Sequence, residues 1–187
     1  MATSQSLAQS TPLTKSDYLR LRNRYLPENI RTIFVLESPP ASGRYFYNPG
    51  GSLSEPLFRA MMKDVLGIGP GSKEEGLKEF AERGYLLIDA TYTPVNDCKK
   101  KTKRNGVILR DLPALVDDLR KYAQPGTEIV LVKANVCRLL EPKLRELGLN
   151  VANRGTVIPF PSSGQQRKFA KTLGQVLQIC GICRMQE

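Results

Sequence analysis

Histidine is absent from this chain of 187 residues, and cysteine is scarce, with four in all. Without imidazole, a closed metal site would have to be built from the thiols of Cys98, Cys137, Cys180 and Cys183, of which only the last two are near neighbours as a Cys-x-x-Cys pair. No metal and no other cofactor is therefore expected, and reduced thiols fit a cytosolic protein. Long apolar runs are missing too. Nothing approaches the ~18 residues that cross a bilayer, and Met1 to Thr14 has no apolar centre of the kind a secretory signal needs. A membrane partner is excluded, and the expected location is the cytoplasm, or the nucleoid when bound to DNA. The chain also has no glycine-rich phosphate loop of the Walker or dinucleotide type, which argues against an ordinary nucleotide-binding α/β enzyme.

Acidic residues are outnumbered. Lys and Arg total 28 against 18 Asp and Glu, a net charge of +10, so the molecule is suited to a polyanion. The length fits one domain with a sizeable core. Residues 1–14 are rich in Ser, Thr, Gln and Ala without apolar periodicity and read as a tail, leaving 15–187 as a single domain, expected to be monomeric. Four apolar runs read as buried strands: Thr32 to Leu36, Tyr85 to Ile88, Glu128 to Val132, and part of Val151 to Ile158. Their lack of polar alternation suits a parallel sheet covered on both faces. Helical patterns occupy Asp17 to Leu26, Pro56 to Leu66, Lys73 to Arg83, Ile108 to Tyr122, Asn135 to Leu147 and Gln165 to Ile179. The alternation specifies an α/β fold arranged as a three-layer α/β/α sandwich.

Chemistry is expected where apolar runs stop abruptly in Pro, Ser and Gly, because the carboxyl ends of parallel strands are where open α/β sheets place ligands. The first such loop is Glu37-Ser38-Pro39-Pro40-Ala41, followed by Gly43-Arg44-Tyr45-Phe46. A second follows the strand ending in Asp89 and holds Thr91, Thr93 and Asn96. It runs into five cations in six residues from Lys99 to Arg104: Lys99, Lys100, Lys101, Lys103 and Arg104. That run reads as a loop making phosphate contacts. The last loop is Pro159-Phe160-Pro161-Ser162-Ser163-Gly164-Gln165-Gln166, with Arg167 and Lys168 extending the basic surface.

In order and character these loops resemble the signature loops of the uracil-DNA glycosylase superfamily. The resemblance spans roughly Ile33 to Leu177 and implies a four-stranded parallel sheet in the order 2-1-3-4. It implies excision of uracil from DNA by hydrolysis of the N-glycosidic bond; a binder of uracil-containing or abasic DNA with little turnover is the alternative. Pro40 matches the family proline and Phe46 the aromatic that stacks on the extruded base. Asp89 stands where an Asn reads uracil, and only a protonated Asp both accepts from N3–H and donates to O4. Ser38, Pro40, Phe46, Asp89, Phe160 and Ser162 are thus the expected base-binding residues. Pro161 and Ser162 match a His-Pro-Ser loop, with Phe160 in place of the His; the backbone amides of Ser162 to Gln165 are the substitute donors to the departing base. Glu37 and Asp89 are the candidate catalytic carboxylates. Glu37 has a competing reading as an ion pair with Arg44, and Phe46 as ordinary core. Arg44, the Lys99–Arg104 cations, Ser163, Gln165, Gln166 and Arg167 are the expected DNA contacts.

Overall fold

The computed structural model describes residues 13–179. Cys180 and Cys183, and most of the segment read as a tail, lie outside them. Thr14, the last residue of that segment, caps the first helix. Its hydroxyl accepts from the Asp17 N–H while the Asp17 carboxylate accepts from the Thr14 N–H, a reciprocal capping box that starts α1 (Lys15–Asn23).

β1 (Thr32–Leu36) is the central strand, with β2 (Tyr85–Asp89) on one side and β3 (Glu128–Leu131) on the other, all parallel, in the order β2-β1-β3. Thr32 lies opposite Tyr85 and Glu128, and Val35 opposite Ile88 and Leu131. Every residue of β1 and β2 is buried. Runs rich in β-branched and aromatic residues, without polar alternation, are stable as strands only when both faces are covered. The fold is thus mixed α/β with a parallel sheet.

The sheet has three strands, not the four expected. The fourth segment makes one parallel bridge, Val151 with Ile129, and then leaves. Asn153 explains why. Its Oδ1 accepts from the Leu131 N–H at 2.7 Å and its Nδ2 donates to the Leu131 carbonyl at 3.0 Å, so a side-chain amide occupies the hydrogen-bonding groups that another ladder rung would use. Arg154 at φ 47° and Gly155 at φ 84° then turn the chain away. Asn153→Ala would leave two buried backbone groups of β3 without partners, and thermal or urea unfolding is expected to show a loss of about 2–5 kcal/mol. An unchanged midpoint would mean that the amide is dispensable.

Three helical expectations change. The segment from Pro56 is helical as α2 (Pro56–Ala60) and widens into a π-helical turn at Met61–Leu66. α3 (Lys73–Glu82) follows, ending at Gly84, where φ is 79° and a Cβ would meet the Asn29 carbonyl at 2.7 Å. The basic run is a loop only in part: Lys99 and Lys100 precede α4 (Lys101–Arg110), and Lys101, Lys103 and Arg104 form its first turn. The pattern read as one helix from Ile108 is broken, with α5 (Leu112–Tyr122) starting afresh around Pro113, which cannot donate to the preceding turn. α6 (Ala134–Glu146) and α7 (Gln166–Ile179) lie close to expectation.

The loop after β1 is fixed as firmly as the sheet. Tyr45, Phe46 and Tyr47 are all buried, and the Tyr47 hydroxyl accepts from the Leu87 N–H at 2.8 Å. Lys73, the first residue of α3, is buried and donates to the Tyr45 carbonyl and to Glu55 Oε2 at 2.8 and 2.7 Å. Burial pulls the Lys73 ammonium below its ordinary value, and the Glu55 carboxylate opposes that.

Candidate functional site

At the carboxyl ends of β1 and β2 the structure opens a cavity of about 270 Å³. Its walls bring together seven of the site residues singled out from sequence: Glu37, Ser38, Pro40, Arg44, Phe46, Asp89 and Phe160. Phe160 arrives from the far end of the chain because the segment after Asn153 folds back over the sheet, where the Ile158 carbonyl accepts from the Lys133 N–H at 2.9 Å. The two signature loops therefore meet in one place. The floor is apolar, from Leu36, Leu87 and Phe58, and a few polar groups converge on it. An apolar lining with a few convergent polar groups is the usual composition of a small-molecule site.

Phe46 belongs to both core and cavity. Its ring packs edge-on against Tyr47 and Phe80, with centroids 5.1 and 5.3 Å apart, and tilted against Phe58 at 5.8 Å. Three neighbouring rings immobilise it, so any face it offers is rigid.

Asp89 ends β2 and is 4% exposed. Its Oδ2 is buried with no hydrogen-bonding partner among the described residues. Burial pushes its carboxyl up to about 8, with the positive charge of Arg22 pulling the other way. The group is accordingly a neutral acid at pH 7, able to accept and to donate. Arg22 is itself committed: its guanidinium donates to the hydroxyls of Tyr92 and Tyr122 at 2.9 and 3.0 Å and reaches Asp118 at 3.5 Å.

Glu37 has the opposite environment. It is 2% exposed, yet Oε2 accepts from Lys133 Nζ, Oε1 accepts from Asn135 Nδ2 at 2.5 Å, and Arg104 Nε lies 3.7 Å from Oε1. The competing ion-pair reading of this residue holds in kind, but its partners are Lys133 and Arg104, not Arg44. Arg44 is exposed on the cavity rim. The third carboxylate at the cavity, Glu55, is taken up by Lys73 and by the Ser52 N–H.

The two loops from β1 and β2 are laced together. Ser38 Oγ accepts from the Val95 N–H at 3.2 Å, and Asn96 Oδ1 accepts from the Ala41 N–H at 3.0 Å. In the last loop, the Ser162 N–H donates to the Phe160 carbonyl and the Gln165 N–H to the Ser162 carbonyl. Those two amides turn the loop, which corrects the expectation that the whole run from Ser162 to Gln165 would serve as donors to a ligand.

Two shallower hollows adjoin the cavity. Lys99, Lys101, Arg104, Lys133, Asn135 and Arg138 line one; Lys133, Arg138, Phe160, Ser162, Ser163, Gln165 and Lys168 line part of the other. Together they make a band of six cations beside the mouth, with Lys100 and Lys103 exposed on α4 and its cap. Gln166 and Arg167 do not join this band; they line a separate depression with Pro56, Arg59 and Lys63.

Lys133, Asn135 and Arg138 escaped the sequence reading. The rule that found Glu37 and Asp89 also points to Lys133, two residues after the end of β3, but no Pro-Ser-Gly punctuation marks that loop. Among the described residues, no three His, Cys, Asp or Glu side chains are grouped as metal ligands, and no helix is long and apolar enough to cross a membrane. Comparison with protein-family models and with curated proteins finds no match in either.

Proposed function

We propose that the protein is a DNA glycosylase that extrudes uracil into this cavity and hydrolyses its N-glycosidic bond. The observation that carries the reading is the convergence of the Glu37–Phe46 loop, Asp89 and Phe160 on one apolar cavity flanked by a continuous cationic band. A three-layer arrangement of helices about the doubly buried strands is part of the same reading. In it, Phe46 supplies a fixed aromatic face for the flipped base. Protonated Asp89 pairs with uracil N3–H and O4. Glu37 provides the negative charge near C1′, where positive charge develops, and holds the attacking water. Phe160 closes the cavity as an apolar wall. It has no proton to give, so the departing base is stabilised by hydrogen bonding from Asp89 rather than from an imidazole.

Incubating the protein with uracil-containing and thymine control oligonucleotides, single- and double-stranded, then treating with alkali, tests this. Strand breakage confined to the uracil position is the expected result. The pairing of Glu37 with Lys133 and Arg104, which offsets its charge, favours one second reading: a binder of uracil-containing or abasic DNA with little turnover. Tight retention on a native gel without alkali-sensitive breaks would establish that alternative.

The cationic band is expected to neutralise phosphates and to carry little sequence information. Replacing Lys99, Lys101 and Arg138 together with Ala should weaken binding to all sequences alike. The slope of log affinity against log salt should flatten by ~0.7–0.9 for each phosphate that is no longer neutralised. An unchanged slope would mean that these side chains are merely solvated.

A further inference from the structure

Lys133 stands at φ 86° and ψ 130°, a backbone conformation that L side chains rarely adopt. Such a position costs of order 1–3 kcal/mol and persists only where its surroundings hold it. Here they do. The Lys133 N–H donates to the Ile158 carbonyl at 2.9 Å, its carbonyl accepts from the Cys137 N–H at 3.0 Å at the start of α6, and the preceding Val132 N–H is tied to Val35 in the sheet. With both backbone groups fixed, the side chain is directed to the junction of the cavity and the two basic hollows. Its ammonium meets Glu37 Oε2 and lies 5.9 Å from the centre of the Phe160 ring. A phosphate contact needs none of this, because a lysine on any relaxed surface turn reaches a phosphate. Arg104 shares the Glu37 carboxylate with Lys133, and a neighbouring cation favours the free amine, while Glu37 is within reach to take its proton; an anchored amine so placed is suited to attack a carbonyl.

We propose that Lys133 forms an imine with the C1′ aldehyde of an abasic deoxyribose, so that the protein also cleaves the strand at the abasic site by β-elimination. This rests on the glycosylase reading, since excision is what generates that aldehyde. Glu37 accepts a proton from the Lys133 ammonium, and the freed amine adds to C1′ to give a carbinolamine. Glu37 returns the proton to the carbinolamine hydroxyl, which leaves as water and yields the iminium. The carboxylate then removes a proton from C2′. The electron pair of that C–H bond forms the C1′–C2′ double bond of an enamine, and the enamine expels the 3′ phosphate as the C3′–O bond breaks. Water hydrolyses the unsaturated iminium and restores the amine. No oxidant or reductant is consumed.

The test uses the full chain and two duplexes, one with a natural abasic site prepared beforehand and one with a tetrahydrofuran analogue that lacks the aldehyde. Borohydride reduces any imine to a stable amine, seen as a covalent complex on a denaturing gel. The expected result is a complex with the natural abasic duplex only, with the added mass mapped by proteolysis to Lys133 in the unaltered protein. Lys133→Arg keeps a cation beside Glu37 but should lower trapping by at least ~50-fold, because guanidinium is not a nucleophile at neutral pH. A complex mapped to another lysine overturns the proposal. So does absence of trapping; the glycosylase reading then stands where uracil is released, and gives way to the binder where the tetrahydrofuran duplex is bound without uracil release. Failure to bind either duplex or to release uracil removes both.

Discussion

Glu37→Gln is expected to slow uracil release in a single turnover by about two orders of magnitude, equivalent to about 2.7 kcal/mol of transition-state stabilisation. The amide keeps the shape and one oxygen that can accept from Asn135, so what changes is charge. Of the three carboxylates at the cavity, Asp89 is held neutral by burial and Glu55 is bound to Lys73. Glu37 is paired too, but its partners Lys133 and Arg104 are partly exposed where Lys73 is fully buried, so on the proposed reading Glu37 is the anion for a developing cationic sugar. Its surroundings make the measurement demanding, because removing one member of a buried ion pair leaves Lys133 and Arg104 without their counter-charge. Both cations are partly exposed and can be rehydrated, so the variant should fold with reduced stability. Rates should be taken below its melting transition, checked by circular dichroism. A wild-type rate would transfer the water-holding role to neutral groups, with Ser38 and backbone carbonyls the next to examine.

The second large effect concerns pH. With the Asp89 carboxyl pushed up to about 8, uracil binding and excision should hold through neutral pH and fall as pH rises through that value, because the ionised form has no proton to donate to O4. Asp89→Asn, which donates at every pH, should abolish this fall while leaving the lower part of the profile similar. Stability moves the same way. Between the ordinary carboxylate range and about 8 the folded state holds a proton that the unfolded chain has released, so ν is larger folded than unfolded and stability declines as pH rises. The Asn variant should lose that slope in denaturant melts run across the interval. The groups that interact electrostatically with Asp89 are Arg22 and the hydroxyls of Tyr18, Tyr45, Tyr47 and Tyr92, all with values above their ordinary high ones, so none titrates within the window. A flat wild-type profile from about pH 6 to about pH 9 would count against a protonated edge reader.

Much of the fold was legible because the strands are simple signals. Thr32 to Leu36 and Tyr85 to Ile88 are apolar on both faces, and such runs have few alternatives to burial in a parallel sheet. What failed did so through side-chain substitution for backbone. Nothing in an apolar pattern shows that Asn153 will take the hydrogen bonds of Leu131, so Val151 to Ile158 read as a strand. The basic run misled in part for a related reason: Lys101 to Arg104 lacks a side-chain cap and opposes the helix dipole, yet the following Val107 and Ile108 supply enough apolar face to make it helical, while Lys99 and Lys100 stay in the loop. For the site, the loop after β1, Asp89 and Phe160 share one cavity, whereas Ser162, Ser163 and Gln165 line an adjoining hollow and Gln166 and Arg167 a separate one. Lys133 was invisible because its distinguishing property is a backbone angle, and the composition around it, Val132 to Asn135, resembles any helix start.

Tyr47 and Asn153 together have a consequence for solubility. A sheet of only three strands has two flanks and one interior strand, so its exposed rim is large for its width, and an unguarded rim invites another polypeptide to add itself as a further strand. Here a phenol engages the amide of Leu87 on one flank and a carboxamide engages both backbone groups of Leu131 on the other. Each flank is blunted by a side chain, which a docking strand would have to displace before it could register, and beside Leu131 the bridge of Val151 to Ile129 covers the neighbouring position as well. A backbone position that an added strand would need is thereby already occupied on each side of the sheet.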